Sequence, residues 1–294
     1  MNSDKKRMIM YVVIVIICIA SIVIGVVTEV ATTGTQKKNI KTEEQRANKV
    51  DDGTPQIDIP DVEELNALNK EFNSLFKNTL SGDKYDDSNI AKLDATKDVV
   101  YTFARIKQIQ DEKYNIDINI PIFNIGSGVA GQYNQDISAN FVEVVNNITA
   151  DNSTSKDYIV YNLNYAAFIN DNILSVVIKS TLKEGDKPQK TVVKTYNYDL
   201  DTGKAYGIKD AIKSRGVEES KVQEKIDSTI QGAIAEEKDI STTGLNAFKR
   251  NANDDMYKIN NSKEFFLGSK GYLYIVYCYG NDDINTSTVD VVKI

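Results

Sequence analysis

The stretch NIDINIPIFNIGSGVAGQYNQDISANF, residues 115–141, decides which fold the chain can adopt. Its first part alternates isoleucine with polar residues, which predicts a strand. Gly126, Gly128 and Gly131 follow in the spacing G-x-G-x-x-G, and a helical pattern comes next. That order is typical of a dinucleotide-binding fingerprint, so the first question is whether the chain builds a parallel nucleotide-binding sheet.

Three features of the surrounding residues argue against a dinucleotide fold. The alternating strand should have one wet face, whereas the parallel strands of such folds are buried on both faces. Pro121 interrupts the strand, and the acidic residue twenty positions after Gly131, Asp151, lies in the loop-like stretch NNITADNST. We therefore predict no dinucleotide or other cofactor, and interpret the run as a flexible strand-to-helix loop whose glycines permit positive φ or a close approach.

Residues 8–28 form an uncharged apolar run, and three basic residues stand directly before it. At the rise of a helix the run spans roughly 30 Å, the thickness of a bilayer core. A cleaved signal peptide is the alternative, but its best cut would place Glu29 where a small residue is needed. We predict an uncleaved single-pass anchor in the cell membrane, with the tail 1–7 cytoplasmic and the remainder outside. The glycines would then lie where NAD is scarce.

The remainder divides into a stalk and two subdomains. Residues 29–60 are polar and predict a flexible stalk. Residues 61–155 predict a first α+β subdomain that begins with a helix, because Asp61 can cap it and Glu64 stands three positions later. An apolar stripe from Val62 to Leu80 predicts that this helix faces the core and ends at Ser81-Gly82, with a dimerising coiled coil as the alternative. Strands over 97–109 and 113–123 and a helix over about 133–148 complete this subdomain.

Residues 156–294 predict a second α+β subdomain. Strands separated by turns at 170–172, 184–188 and 201–203 predict an antiparallel meander. A helix pair around 209–236 follows, and then the strand-like segments EFFLG, GYLYIVYCYG and STVDVVKI. The predicted fold class is α+β, with antiparallel sheets and helices packed on one face, preceded by a single transmembrane helix and a stalk.

The chain has no histidine, which removes Ser-His-Asp and Cys-His catalysis and the common zinc motifs. Hydrolysis by a carboxylate pair stays possible. The Asp-Asp pairs at 86–87, 254–255 and 282–283 are interpreted as solvated turns. The stretch DLDTG, Asp199–Gly203, looks like the start of a calcium loop but lacks the later acidic ligands, which favours a hairpin turn. We assign no catalytic, cofactor-binding or metal residue, and the ligand-binding residues stay unknown.

Tyrosine and cysteine usage points to structure rather than chemistry. In YLYIVYCYG both strand faces are apolar, so its four tyrosines, at 272, 274, 277 and 279, are predicted to be core and sheet edge. Cys278 is predicted to be a buried thiol. Cys18 lies in the apolar run and cannot meet it, so no intrachain disulfide is expected. An extracytoplasmic domain without disulfides suits a Gram-positive type of surface.

The formal net charge of the chain is −7. An acidic chain is a poor candidate for binding nucleic acid or anionic wall polymers, because like charges repel. It would attract a cationic partner.

Three stretches of the chain follow a familiar order of segments. They are 118–145, with its strand, proline, glycine loop and helix; 173–212, with TYNYDLDTGK; and 265–283, with FFLGSKGYLYIVYCYGNDD. Together they resemble the paired extracytoplasmic domains of unknown function in lysozyme-sensing anti-sigma factors of the sigma-V type. The same pair precedes the catalytic domain of some membrane-anchored peptidoglycan deacetylases.

The resemblance implies a shared outer module without either effector. The segment 1–7 is too short to hold a sigma factor, and a deacetylase domain would carry metal-binding histidines. In the anti-sigma relatives the module binds lysozyme, a basic protein. Our hypothesis is a membrane-anchored extracytoplasmic binding module that senses or sequesters a cationic protein such as lysozyme, or binds another wall ligand. The alternatives are a carboxylate-dependent enzyme that acts on envelope polymers and a passive surface or assembly subunit.

Overall fold

The computed structural model describes residues 59–77, 98–150, 157–240, 248–279 and 288–294. Within those ranges no helix is long and apolar enough to cross a membrane. The predicted tail, anchor and nearly all of the stalk lie outside the described residues. So do the helix stop at Ser81-Gly82, the pairs at 86–87 and 282–283, Asp151 and Cys18.

The described residues form five α-helices, nine strands and short connecting turns. The helices are α1 (Val62–Ser74), α2 (Gly128–Ile137), α3 (Glu143–Thr149), α4 (Ile208–Ser214) and α5 (Glu219–Ile240). The first strands are β1 (Val100–Gln110), β2 (Tyr114–Phe123), β3 (Ile159–Asn170), β4 (Ile173–Glu184), β5 (Lys190–Asp199) and β6 (Lys204–Ala205). The last three are β7 (Glu264–Leu267), β8 (Leu273–Tyr279) and β9 (Thr288–Lys293).

The first six strands form one sheet, sheet 1, in the order β1-β2-β3-β4-β5-β6. The predicted meander is confirmed, because β3 to β6 pair antiparallel in sequence. Asp171 and Asn172 both have positive φ, as a tight two-residue hairpin turn requires. One pair departs from the predicted antiparallel sheet, since β2 and β3 run parallel over Tyr114–Ile118 and Ile159–Leu163. Sheet 1 therefore takes strands from both sides of residue 155.

The parallel pair exists because the segment between β2 and β3 crosses over sheet 1 as a helix. It runs through α2, a π-helical turn at Ser138–Val142, and α3. Asn134 holds it to the strand end, because its side chain accepts from the Phe123 N–H (2.8 Å) and donates to the Phe123 carbonyl (3.0 Å). The expected wet face of β2 is also wrong, since Asn119 is buried and Asp117 is half-buried.

The predicted strand-to-helix loop contains Gly126, but Gly128 and Gly131 belong to the helix that follows it. Helix α2 begins at Gly128, five residues before the predicted start, and contains Gly131. None of the three glycines, at 126, 128 and 131, has positive φ. A Cβ atom on Gly128 or Gly131 would meet nothing within 4 Å. The helix starts early because Ser127 caps it, its Oγ accepting from the Ala130 N–H at 3.1 Å.

Strands β7 to β9 form a second antiparallel sheet, sheet 2, which packs against the inner face of sheet 1. The two sheets enclose an apolar cluster that contains Val177, Val193, Phe266, Tyr274 and Val276. Helices α2 and α3 cover the outer face of sheet 1. Helices α4 and α5 cover the outer face of sheet 2. The fold class is α+β with mostly antiparallel sheets, and each sheet has helices on one face and the other sheet on its opposite face.

The two sheets are joined by buried polar side chains. Strand β7 lies at the edge of sheet 2, and its outward N–H groups bond to side chains of sheet 1: Phe265 to Thr195 Oγ1 (2.9 Å) and Leu267 to Ser175 Oγ (3.1 Å). Asn197 Nδ2 donates to the Phe265 carbonyl at 2.7 Å, and Ser175 donates to Asn197 Oδ1 at 2.6 Å. We call Ser175, Thr195 and Asn197 the junction triad. It replaces a neighbouring strand, so the edge of β7 is satisfied without one.

Helix α1 lies beside both sheets. Asp61 caps it, accepting from the Glu64 N–H at 2.9 Å, as predicted. Its Phe72 is buried between the sheets, and Leu68, Leu75 and Phe76 pack on the same cluster. The apolar stripe of this helix therefore faces the core, which is the predicted arrangement.

Replacement of Gly131 by alanine is expected to stabilise the protein by about 0.5–1 kcal/mol, because Gly131 lies in a helix, has open space around it and is conformationally costly there. The matched control is Gly232→Ala, in α5, where the new Cβ would lie 2.8 Å from the Pro60 carbonyl oxygen. Urea unfolding should show opposite signs for the two variants. A loss of stability in Gly131→Ala would contradict this account of the glycine run.

Replacement of Asn197 by alanine removes two hydrogen bonds of the junction triad and leaves the Phe265 carbonyl without its donor. We expect a loss of about 2–3 kcal/mol in the free energy of unfolding. The control is Asn162→Ala, since Asn162 is an exposed asparagine in a strand of the same sheet and should change stability by less than about 0.5 kcal/mol. A similar loss of unfolding free energy in both variants would show that the junction triad does not stabilise the protein more than an exposed asparagine does.

Candidate functional site

A pocket of about 250 Å³ opens on the inner face of sheet 1, beside the end of α1. It lies on the part of this face that sheet 2 does not cover. Along β4, Ser175 contacts β7, Val177 packs between the sheets, and Lys179 and Thr181 line the pocket. The polar residues that line it, together with one aromatic ring, are Phe76, Lys77, Asp117, Asn162, Asn164, Lys179 and Thr181.

Strand register brings these side chains together from distant parts of the chain. Asn162 on β3 is paired with Asp117 on β2 and with Thr181 on β4. Asn164 is paired with Lys179 in the same way. Paired positions place their side chains on the same face, about 5 Å apart. The pocket floor is therefore a row of polar side chains across three strands.

Lys179 is the most unusual group in the pocket. Its ammonium donates to the Asn73 carboxamide oxygen on α1 and lies about 6 Å from the ring centres of Phe72 and Phe76. Burial lowers the pKa of Lys179 below its ordinary value. Among the described residues, no carboxylate forms an ion pair with it. The pocket thus holds a half-buried cation that forms no ion pair with a described carboxylate.

A chain of amides supports one side of the pocket. Asn119 Nδ2 donates to Asn164 Oδ1 at 3.2 Å, and Asn164 Nδ2 donates to the Phe76 carbonyl at 2.8 Å. This second bond ties sheet 1 to the end of α1. The Oδ1 atom of Asn119 is buried and accepts no hydrogen bond from the residues that the structure describes.

Helix α1 is fastened to sheet 2 by a charged contact one turn before the pocket. Lys293 Nζ lies 2.8 and 3.0 Å from the two oxygens of Glu71, and the Tyr274 hydroxyl donates to Oε1 at 2.5 Å. The hydrogen bond from Lys293, followed by the one from Tyr274, lowers the pKa of Glu71. The helix end that forms the pocket wall is therefore held from both sheets.

The pocket offers charges of both signs together with hydrogen-bond donors and acceptors. It presents two ammonium groups, one carboxylate, two carboxamides and a hydroxyl beside an aromatic ring. Asp117 is its one carboxylate in the described lining, and Lys107 lies 3.7 Å from it. A retaining or inverting carboxylate pair would need a second acid about 5–9 Å away. The described residues also contain no cluster of three acidic or thiol ligands for a metal.

The residues weighed from the sequence lie elsewhere and have structural roles. Asp199 accepts from the N–H groups of Asp201 (2.9 Å) and Thr202 (3.0 Å), which makes DLDTG the predicted hairpin turn between β5 and β6. Burial raises the pKa of Asp199, but the bonds from Thr202 and Asp201 outweigh it and the pKa is lowered. Asp254 caps a short helical turn by accepting from the Met256 N–H.

The tyrosine-rich strand matches its prediction for most positions. Tyr274, Tyr277 and Tyr279 are buried, whereas Tyr272 precedes the strand and is exposed. Cys278 is half-buried, and its thiol donates to the Thr191 carbonyl at 3.0 Å. Burial raises the pKa of this thiol to about 11, so it is unreactive at neutral pH.

A second buried polar cluster, which the sequence did not reveal, holds the C-terminal strand. Arg250 forms two bonds to Asp290 (2.6 and 2.8 Å) and one to Glu237 (2.9 Å). The Tyr279 hydroxyl also donates to Asp290. Burial raises the pKa of Asp290 although Arg250 opposes the shift. Every charge in this cluster is paired, so we interpret it as a structural clamp between α5 and β9.

Comparison with known proteins identifies structural neighbours only. No family model matches the chain, and no curated protein matches it. The chain is similar to a DUF3298 family protein from Pseudomonas aeruginosa PAO1, with 13% identity, 65% of this chain and 88% of that chain covered, and a TM-score of 0.36. It is also similar to a DUF3298 member from Bacteroides fragilis NCTC 9343, with 14% identity, 61% and 81% coverage, and a TM-score of 0.31. Overlap at this level assigns no family and no function to the chain.

The half-buried cation gives a test of the pocket without a ligand. Lys179→Met keeps an apolar stem beside Phe72 and Phe76 but removes the half-buried charge, so we expect stability at pH 7 to rise by a few tenths of a kcal/mol, about what a partly solvent-screened charge costs. The lowered pKa means that the wild type gains stability as pH rises from the folded pKa to the unfolded value of about 10.4. The advantage of the variant should therefore shrink towards that pH.

The control is Lys183→Met on the same strand and face, outside the pocket lining. Urea unfolding at several pH values should show little change for this variant. A clear loss of stability in Lys179→Met alone would mean that the ammonium is already balanced within the folded chain.

Proposed function

We propose that the chain is a membrane-anchored, extracytoplasmic binding module whose pocket beside α1 captures a ligand of the cell envelope. The observation that carries this proposal is the pocket itself, where polar groups from three strands and from the turn after α1 converge without a pair of carboxylates in the described lining. Concave sites with a few convergent polar groups are the ordinary form of ligand sites. The uncharged run 8–28 and the basic residues before it support the proposed anchor.

The position of α1 supports a sensing role for this module. The helix begins at residue 62, directly after the segment that leads from the proposed anchor, and the turn that follows it, residues 75–77, supplies Phe76 and Lys77 to the pocket wall. A ligand in the pocket would contact Phe76 and Lys77 and so favour the docked position of α1. Ligand binding would then be linked to the position of the segment that precedes this helix.

Sequestration of a cationic protein such as lysozyme is the second candidate function. It is favoured by the net charge of −7 and by the resemblance to the outer module of lysozyme-sensing anti-sigma factors. Charge attraction alone would bring any cation to the surface and would weaken as salt screens it. Only an affinity that survives physiological salt would support this candidate.

Two features weigh against the alternatives. A carboxylate-dependent enzyme is disfavoured because the described pocket lining contains the single acid Asp117. Self-assembly through α1 is disfavoured because its apolar stripe is used within the domain, with Leu65 and Phe72 buried.

The pocket is tested by filling it. Asn162→Trp places an indole in the pocket from an exposed strand position, and Gln132→Trp adds the same side chain on exposed α2 at the opposite face of sheet 1. Calorimetry of the full-length chain in detergent micelles, with soluble peptidoglycan fragments as the probe, should show a loss of at least about tenfold in affinity for Asn162→Trp only. Equal affinity in the wild type and Asn162→Trp would contradict the proposed site.

The same chains, titrated with lysozyme at low and near-physiological salt, test the second candidate. If lysozyme binds at near-physiological salt and Asn162→Trp binds it equally well, the ligand site is a protein-binding surface outside the pocket. Protease treatment of intact cells tests the proposed localisation. We expect cleavage of the domain, whereas complete protection would contradict an extracytoplasmic position.

A further inference from the structure

We infer that the pocket binds a ligand through a single carboxylate group, which pairs with the ammonium of Lys179. This inference rests on the proposed function, since it names the chemical class of ligand for the same pocket. The ligand would be an anion that can reach the inner face of sheet 1 and that carries one negative charge rather than two.

The first step of the argument is the state of Lys179 itself. Moving an ammonium out of water is costly unless an opposite charge or several hydrogen bonds replace the water. Three described carboxylates have other cationic partners: Asp117, in the same pocket, with Lys107 at 3.7 Å; Glu71 with Lys293 at 2.8 Å; and Glu264 with Lys194 at 3.6 Å. The one protein hydrogen bond shown for the Lys179 ammonium is to the neutral carboxamide of Asn73.

The second step is that the Lys179 ammonium lies 5.8 Å from the ring centre of Phe76, which also lines the pocket. Lys179 lines the cavity together with Thr181, which is two residues further along the same face of β4. A carboxylate in the cavity could therefore accept hydrogen bonds from the ammonium and the hydroxyl at once. Bonds between ionised partners of this kind are roughly twice as strong as neutral ones.

The third step decides the charge of the ligand. The lining carries two ammonium groups, Lys77 and Lys179, and one carboxylate, Asp117, which Lys107 approaches to 3.7 Å from outside the lining. Asp117 lies on the same floor and would repel a second negative charge. A monoanionic carboxylate is therefore favoured over a dianionic phosphate.

The fourth step concerns the rest of the ligand. The carboxamides of Asn162 and Asn164, the Asp117 oxygens and the Phe76 ring suit hydroxyl or amide groups on a small ring. The volume of about 250 Å³ is below the usual range for drug-sized ligands, which begins near 300 Å³. We therefore infer one acidic sugar or acidic amide unit, either free or at the end of a longer polymer.

The experiment compares pairs of related probes, of which one carries a carboxylate and the other is neutral. N-acetylmuramic acid is titrated against N-acetylglucosamine, and acetate against acetamide, with inorganic phosphate as a third anion. The full-length chain in micelles is used as wild type, Lys179→Met and Lys183→Met. We expect the wild type to bind each acid at least about tenfold more tightly than its neutral partner, the ratio that one charge-assisted hydrogen bond supplies.

Lys179→Met should bind each acid no better than its neutral partner, whereas Lys183→Met should behave as the wild type. Equal binding of acid and neutral probes, unchanged affinity in Lys179→Met, tighter binding of phosphate, or no binding of either acid at 10 mM would each overturn the carboxylate inference. The variant Asn162→Trp distinguishes failure of the carboxylate inference from failure of the proposed pocket function. If peptidoglycan fragments bind the wild type but not this variant, the pocket is a ligand site that does not depend on a carboxylate.

Discussion

The structure depends on how one short strand edge is satisfied. Strand β7 has four residues, Glu264–Leu267, and pairs with β8 on one side only. Its outward N–H and carbonyl groups face sheet 1 and would be buried without partners. The junction triad supplies those partners from the inner face of sheet 1. The triad therefore links strand β7 of sheet 2 directly to strands β4 and β5 of sheet 1.

The position of the pocket follows from this junction. Sheet 2 is placed over the end of β4 that carries Ser175, and the apolar cluster around Val177 fills the space between the sheets. Further along β4 the inner face is covered only at its rim by the turn that follows α1, so Lys179 and Thr181 line an open cavity. The junction, the core and the candidate site are thus consecutive positions on one strand.

Local patterns predicted much of this architecture. The meander, the hairpin turns, the helix pair and the Asp61 cap follow from turn chemistry and periodicity, which act within a few residues. The parallel pairing of β2 with β3 did not follow, because the alternating pattern of β2 suggested a wet face. Its polar residues are instead covered by long-range contacts such as Asn119 with Asn164. The helix start after the glycine run was placed five residues too late, because the cap formed by Ser127 was not recognised in the sequence.

The candidate site was not predictable from the sequence, because its residues come from four elements that only the strand register aligns. A signal was nevertheless present in the polar residues at alternate positions of two otherwise apolar strands: Asn162 and Asn164 on β3, and Ser175, Lys179 and Thr181 on β4. The stretch TYNYDLDTGK, which carried the best part of the resemblance, supplies two of the three junction residues. Thr195 and Asn197 in this stretch therefore serve the contact between the two sheets and do not line the pocket.

Amide hydrogen exchange at Phe265 and Leu267 tests the junction most directly. These N–H groups lie on the strand edge that has no strand neighbour, and their acceptors are the Thr195 and Ser175 hydroxyls. We predict that both amides exchange only on global unfolding, as slowly as the amides at the centre of β8. Exchange at the rate of an exposed edge strand would contradict the account, since the two sheets would then be held together by apolar packing alone.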